Sequence, residues 1–311
     1  MSDASNILTV FVFNHRYEQN IEKLERIYGG RFSNRRYIMP FYRGDRPDVV
    51  PVYESSHLFQ GYFAQAAKLL IDPKFTHYLF LADDLFFNPA LDERNILTAL
   101  GAEGSTAYIK ALEPLCDVSA QWTHGLSALE SLRRSAAYVS ASELPDPAEA
   151  ARRGEALGFR FDRRISLGHL RAFGFWYNRP AGWRRRKLLL LRWLLFFARH
   201  RFSVKLPYPM VVGYADFVLV PAAHIRDFCH LCGVFAATGT FVEVGLATAL
   251  MLSCDRIATE ATTGRRGLEL WTPEEVQRIG EAAGYDTNRL FDLVGKDCLY
   301  VHPVKLSKWE F

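Results

Sequence analysis

Two adjacent carboxylates, Asp83 and Asp84, stand at the end of the apolar run Tyr78-Leu79-Phe80-Leu81-Ala82. The run is too short for most helices and rich in aromatics, so it reads as a strand buried on both faces of a sheet. Such a strand delivers its acids to its carboxyl end, where open α/β sheets bind ligands. Two acids side by side repel unless a cation or hydrogen-bond donors compensate them. A hard divalent cation does so with oxygen ligands, and it commonly carries substrate phosphates as well. The plainer reading makes Asp83 and Asp84 turn residues, one of them capping the next turn.

Further along, Gly239-Thr240-Phe241-Val242-Glu243 leads into an apolar helical stretch, Val244 to Leu252. A carboxylate at that position is favoured by the helix dipole. It is also a candidate base or acceptor for a substrate hydroxyl. Asp216, in Gly-Tyr-Ala-Asp-Phe, is the second candidate base. The chain closes with a short strand, Leu299 to Val301, that delivers His302-Pro303-Val304-Lys305.

The elements that must position these residues alternate in type. Ile7 to Phe13 reads as a strand ending in Asn14-His15-Arg16. Glu18 to Tyr28 reads as a helix stopped by Gly29-Gly30, Tyr37 to Tyr42 as a strand, and His57 to Ile71 as a helix. Leu91 to Leu100 is expected as a short helix and Ala107 to Leu112 as a strand. A surface helix lies within Leu144 to Arg164, and Arg171 to Tyr177 forms another strand. Met210 to Val220 is a strand interrupted at Gly213, and Ala222 to Val234 a helix. Thr272-Pro273-Glu274-Glu275 carries a capping box, opening a helix that runs to Gly284. The alternation predicts an α/β fold with a mostly parallel central sheet flanked by helices. The length of 311 residues fits one large domain.

Hydrophobic content of 49% with 23% charged residues excludes both a disordered chain and a wholly membrane-embedded one. The five cysteines form no dense framework, and Cys229-His230-Leu231-Cys232 has no second ligand pair at zinc spacing, so these read as core residues. Met1 to Asn6 is polar and without an apolar follow-on, so no signal peptide is expected. A cytoplasmic setting follows.

Charge is uneven. Between Asp162 and Asp216 no acid occurs, while that interval holds twelve Lys and Arg residues; without them the chain's net charge of +4 becomes −8. Within it, the segment 182–206 holds Arg184, Arg185, Arg186 and Lys187, then a run from Leu188 to Ala198 interrupted only by Arg192, then Arg199 and Arg201. As a helix the apolar run measures ~16 Å, too short for a bilayer core of roughly 30 Å. Basic ends with Trp183 and Trp193 near them suit a basic amphipathic insertion lying at an anionic membrane surface. A buried helix with basic ends is the alternative. Nucleic acid is not expected, since the apolar middle offers phosphates nothing.

In order of elements the chain resembles metal-dependent glycosyltransferases of the GT-A fold, which is Rossmann-related. Their acidic "DxD" signature holds Mn²⁺ or Mg²⁺ against the diphosphate of a nucleotide sugar. Here the triplet is Ala82-Asp83-Asp84, lacking the first acid. The resemblance therefore implies Asp84 as metal ligand, with Asp83 assisting the metal or meeting the ribose. It implies His302 as a late ligand to the same metal and Lys305 as a point charge on the diphosphate. Phe13, Asn14, His15 and Arg16, after the first strand, would meet the base or ribose, and Glu243 resembles the acid opening the acceptor-side helix.

The implied activity is transfer from a nucleotide-sugar donor to a glycan or lipid-linked acceptor, as in bacterial surface polysaccharide synthesis. The enzyme would be peripheral at the inner face of the cytoplasmic membrane. A nucleotidyltransferase or phosphotransferase using the same acids is the alternative enzyme. A non-catalytic membrane-binding scaffold is the alternative from another class.

Overall fold

The computed structural model describes residues 6–118, 128–131, 142–166 and 183–309. Seven strands form the main sheet: β1 (Ile7–Val12), β2 (Asn34–Pro40), β3 (Val49–Val52), β4 (His77–Ala82), β5 (Ala107–Ile109), β6 (Phe217–Pro221) and β7 (Ile257–Ala258). Across the sheet their order is 3-2-1-4-6-5-7. β1 pairs in parallel with β2 and β4, β2 with β3, and β5 with β7. β6 runs antiparallel to both its neighbours, β4 and β5. The protein is thus α/β with a mostly parallel mixed sheet.

The central strands are apolar on both sides because both faces are covered. Leu8, Val10 and Val12 of β1 and Tyr78 and Phe80 of β4 join one core, with α2 (Gln60–Leu70), α4 (Ile225–Ala237) and α5 (Val242–Ser253). Ile7 and Phe11 of β1 and Leu79 and Leu81 of β4 join the other, with α1 (Gln19–Tyr28). The cores meet through successive residues of single strands, which is the two-residue period of β structure. Helix α3 (Trp183–Arg199) lays Trp193, Phe196 and Phe197 into the first core.

A second, three-stranded sheet comprises Arg266–Glu269, Cys298–His302 and Phe86–Phe87. Cys298–His302 runs antiparallel to Phe86–Phe87, with Tyr300 opposite Phe87 and Val301 opposite Phe86. This pairing carries the chain's last strand to the loop that follows Asp84.

Several expectations are corrected. β2 begins at Asn34 and ends at Pro40 rather than spanning 37–42, and β3 follows it unforeseen. The helix expected from Leu91 shrinks to Ile96–Ala99. Thr287–Val294 forms a helix with no earlier signal assigned to it. Trp193, expected at a membrane interface, is 0% exposed. The strand expected at Arg171–Tyr177 lies outside the described residues. The interruption at Gly213, the capping box of Thr272 and Glu275, and the burial of Cys229 and Cys232 all agree with expectation.

The loop after the paired acids is anchored to α1 and the turn that follows it. The Tyr28 hydroxyl donates to Leu85 O at 2.8 Å and accepts from Phe87 N at 3.0 Å, while the Arg31 guanidinium donates to Leu91 O at 2.7 Å. Tyr28→Phe leaves a buried N–H and C=O unpaired. It should cost about 1–3 kcal/mol. A lower midpoint in urea at unchanged slope would register it.

Candidate functional site

β4 ends at Ala82, and the backbone of Asp83 donates to Val12 O at 3.1 Å, so both acids sit at the carboxyl edge of the two central strands. Their environments differ. Asp83 is 5% exposed, and its carboxylate accepts from Asn20 Nδ2 at 2.8 Å. Burial, then the charge of Asp84, pushes Asp83 up to about 7, against hydrogen bonds from Asn20 and the Asn14 backbone. Asp84 faces the other way, with its side chain about one-third exposed.

His302 meets Asp84 across 218 positions of sequence: Nε2 lies 3.0 Å from Asp84 Oδ1. The Val304 amide donates to Asp84 O at 2.8 Å, so backbone as well as side chain is clasped by the strand Cys298–His302 and the residues just after it. The other ring nitrogen of His302, Nδ1, meets the Tyr214 hydroxyl in a short hydrogen bond. Burial disfavours the imidazolium. The bond to Asp84 and its charge, aided by Asp216 and Glu269, outweigh burial and hold His302 above its ordinary value.

The reversed direction of β6 supplies the next residues. Because β6 starts where β4 ends, the residues leading into it lie at the same edge, and Ala82 N donates to Asp216 O at 2.8 Å. Burial raises the Asp216 carboxyl, which senses His302, Asp84 and Glu269. Glu243, in the first turn of α5, is pushed up to about 8 by burial and then by Asp216. Tyr214 lies within the field of Asp216, Glu269, Asp84 and Glu243 together. Glu269 pairs in register with His302, accepts from the Tyr300 hydroxyl at 2.6 Å, and forms an ion pair with Lys110.

Of the expected residues, Asp84, His302, Asp216 and Glu243 thus share one electrostatic cluster. Asn14 lies beside it, lining with Ala82 and Asp216 a cavity of about 10 Å³. His15 and Arg16 are exposed on the same loop, and Lys305 is exposed one residue beyond the Val304 contact.

Two of the expected residues are buried. Phe13 is fully buried in the core with Phe11 and Tyr37. The Asp83 carboxylate is also buried and accepts from Asn20, so it offers far less surface than Asp84.

The fit to a divalent cation is consequently narrower than expected. Among the described residues no group of three or more His, Cys, Asp or Glu side chains is arranged to hold a metal ion. Asp84 and His302 remain a facing oxygen and nitrogen donor pair. That number suits a cation whose other ligands are phosphates and water.

Asn20, Tyr214 and Glu269 were not singled out from sequence. Tyr214 was within reach, two residues before Asp216 on an expected strand. Asn20 and Glu269 carried no such signal, since each acts through a partner distant in the chain. No protein-family model matches this chain, and no curated protein matches it either.

The Glu243 carboxyl ionises at about 8 when folded against an ordinary 4.5. Between those values the unfolded chain is ionised while the folded chain keeps its proton, so stability falls as pH rises through that window. Glu243→Gln, an uncharged stand-in, should therefore raise the melting temperature over the parent more near pH 8 than near pH 5. Equal gains at both would contradict the raised value.

Proposed function

We propose that this protein is a glycosyltransferase of the GT-A type, moving a sugar from a nucleotide-diphosphate sugar to a glycan or lipid-linked acceptor. The observation that carries the reading is the meeting of Asp84 and His302 at 3.0 Å, at the carboxyl edge of a mostly parallel sheet. The strand order with its single reversed strand is compatible with that fold.

Asp84 and His302 would hold Mn²⁺ or Mg²⁺. The cation, when bound, neutralises charge developing on the departing diphosphate. Lys305, exposed just past the clasp, supplies a point charge to the same phosphates. Tyr214 orients the His302 ring through Nδ1, leaving Nε2 to face Asp84 and the ligand. The cavity beside Asp216 is too small for a sugar, so donor and acceptor lie over the open edge, against the exposed side of Asp84. Asn14, His15 and Arg16 border that edge for the base or ribose. Glu243, half-buried and with its carboxyl raised to about 8, takes the acceptor-hydroxyl proton through its ionised fraction in preference to Asp216, because a base works best with its pKa close to the working pH.

Asp84→Asn should cut sugar transfer about 100-fold or more while the melting temperature holds, the scale expected when a group stabilising developing charge is lost. Full activity in that variant would remove the site. Release of pyrophosphate instead of nucleoside diphosphate would favour nucleotidyl transfer. Absence of any Mn²⁺ or nucleotide-sugar binding in calorimetry would favour the scaffold. Tyr214→Phe should weaken Mn²⁺ binding by about 10-fold, as loss of a partner that orients a ligand does.

A further inference from the structure

Helix α3 has two faces of unlike fate. Trp193, Phe196 and Phe197 point into the core, with the Trp193 and Phe197 rings stacked at 5.5 Å. On the opposite side Leu188 is 60%, Leu191 51% and Leu195 50% exposed, and Leu194 is exposed beside them. At about 100° per residue, the first three fall within roughly 60° of one another around the axis. Phe202, just past the helix, is exposed as well. Single exposed leucines are common on soluble proteins, but a contiguous row marks a contact surface.

Cations border this row. Arg192 and Arg199 are exposed along one margin, Lys187 lies toward the other, and exposed Arg201 precedes Phe202. Arg192 faces Glu130 at 3.4 Å. The helix is 17 residues, and no helix among the described residues is long and apolar enough to cross a membrane.

We propose that this face of α3 docks on an anionic phospholipid bilayer, with the leucine row entering the boundary between headgroups and acyl chains and the flanking cations meeting lipid phosphates. The charge pattern selects this occupant. A second copy of the chain, packed symmetrically through the same face, would bring the cations bordering that face in one copy against those of the other. Nucleic acid would satisfy the cations and leave the leucines in water. An anionic interface satisfies both at once. The proposal does not depend on sugar transfer.

Flotation of the full chain with vesicles tests it. The parent should float with phosphatidylcholine–phosphatidylglycerol vesicles at low salt, lose much of that binding at high salt, and stay behind with phosphatidylcholine alone. Leu191→Gln with Leu195→Gln leaves the charge unchanged and touches only exposed positions. It should abolish flotation at an unaltered melting temperature. Arg199→Gln with Arg201→Gln should weaken apparent affinity about 30-fold. Three outcomes overturn the proposal: no flotation of the parent, undiminished flotation of the leucine pair variant, or a parent dimer that the leucine pair disperses without any vesicle binding. Binding to a DNA duplex in place of vesicles overturns it too.

Discussion

Negative charge gathered in one place is the constraint around which the molecule is arranged. Asp83, Asp84, Asp216, Glu243 and Glu269 collect at one edge of the sheet, and burial or proximity works against the ionisation of three of them. One part-buried imidazole, held above its ordinary value by the same acids, pairs with Asp84. Lys110 performs the corresponding service for Glu269. Such a cluster is expensive for a fold to maintain unless its polar atoms are paired. Here the pairing is specific: Asn20 for Asp83, His302 for Asp84, Tyr300 and Lys110 for Glu269.

Topology explains how residues so far apart in the chain arrive together. Parallel strands alone would bring only their following loops to the carboxyl edge. The reversal of β6 brings the segment preceding a strand there instead, which places Asp216 against Ala82 and Tyr214 against His302. The small sheet performs the second delivery, its antiparallel register leading from Tyr300 opposite Phe87 to His302 beside Asp84. Gly267 permits close packing within that sheet, because a side-chain carbon there would fall within 2.1 Å of the Tyr300 ring. Two different sheets therefore converge on one carboxylate, so the position of Asp84 is determined from both sides.

Helix α3 illustrates a separate point, that one sequence run can serve two environments. Its aromatic residues continue the core of the α/β domain, while its leucines remain at the surface among cations. The segment is neither a buried helix with basic ends nor a loosely attached appendage. Its inner face is packed into the core, and its outer face carries the exposed leucines.

Much of the architecture was legible in the residues. The apolar run ending in Asp83-Asp84, the stop at Gly29-Gly30, the Thr272 capping box and the break at Gly213 are local signals, set by strand period, backbone freedom and hydrogen bonds within a few residues. Those signals placed the elements and indicated which strand ends carry chemistry. They did not reveal the direction of β6, since an apolar strand reads alike both ways. Nor could they distinguish Asp83 from Asp84: adjacent in sequence and identical in type, the two differ only because Asn20 turns one inward and His302 meets the other. Likewise Trp193 and Leu191 are both apolar members of one run, and packing alone sends the first into the core and leaves the second in solvent. Sequence determined which groups are present and where local structure begins and ends. Tertiary structure decided which face each presents and which partner it meets, because burial and hydrogen bonding over long separations depend on neighbours that the local chain does not contain.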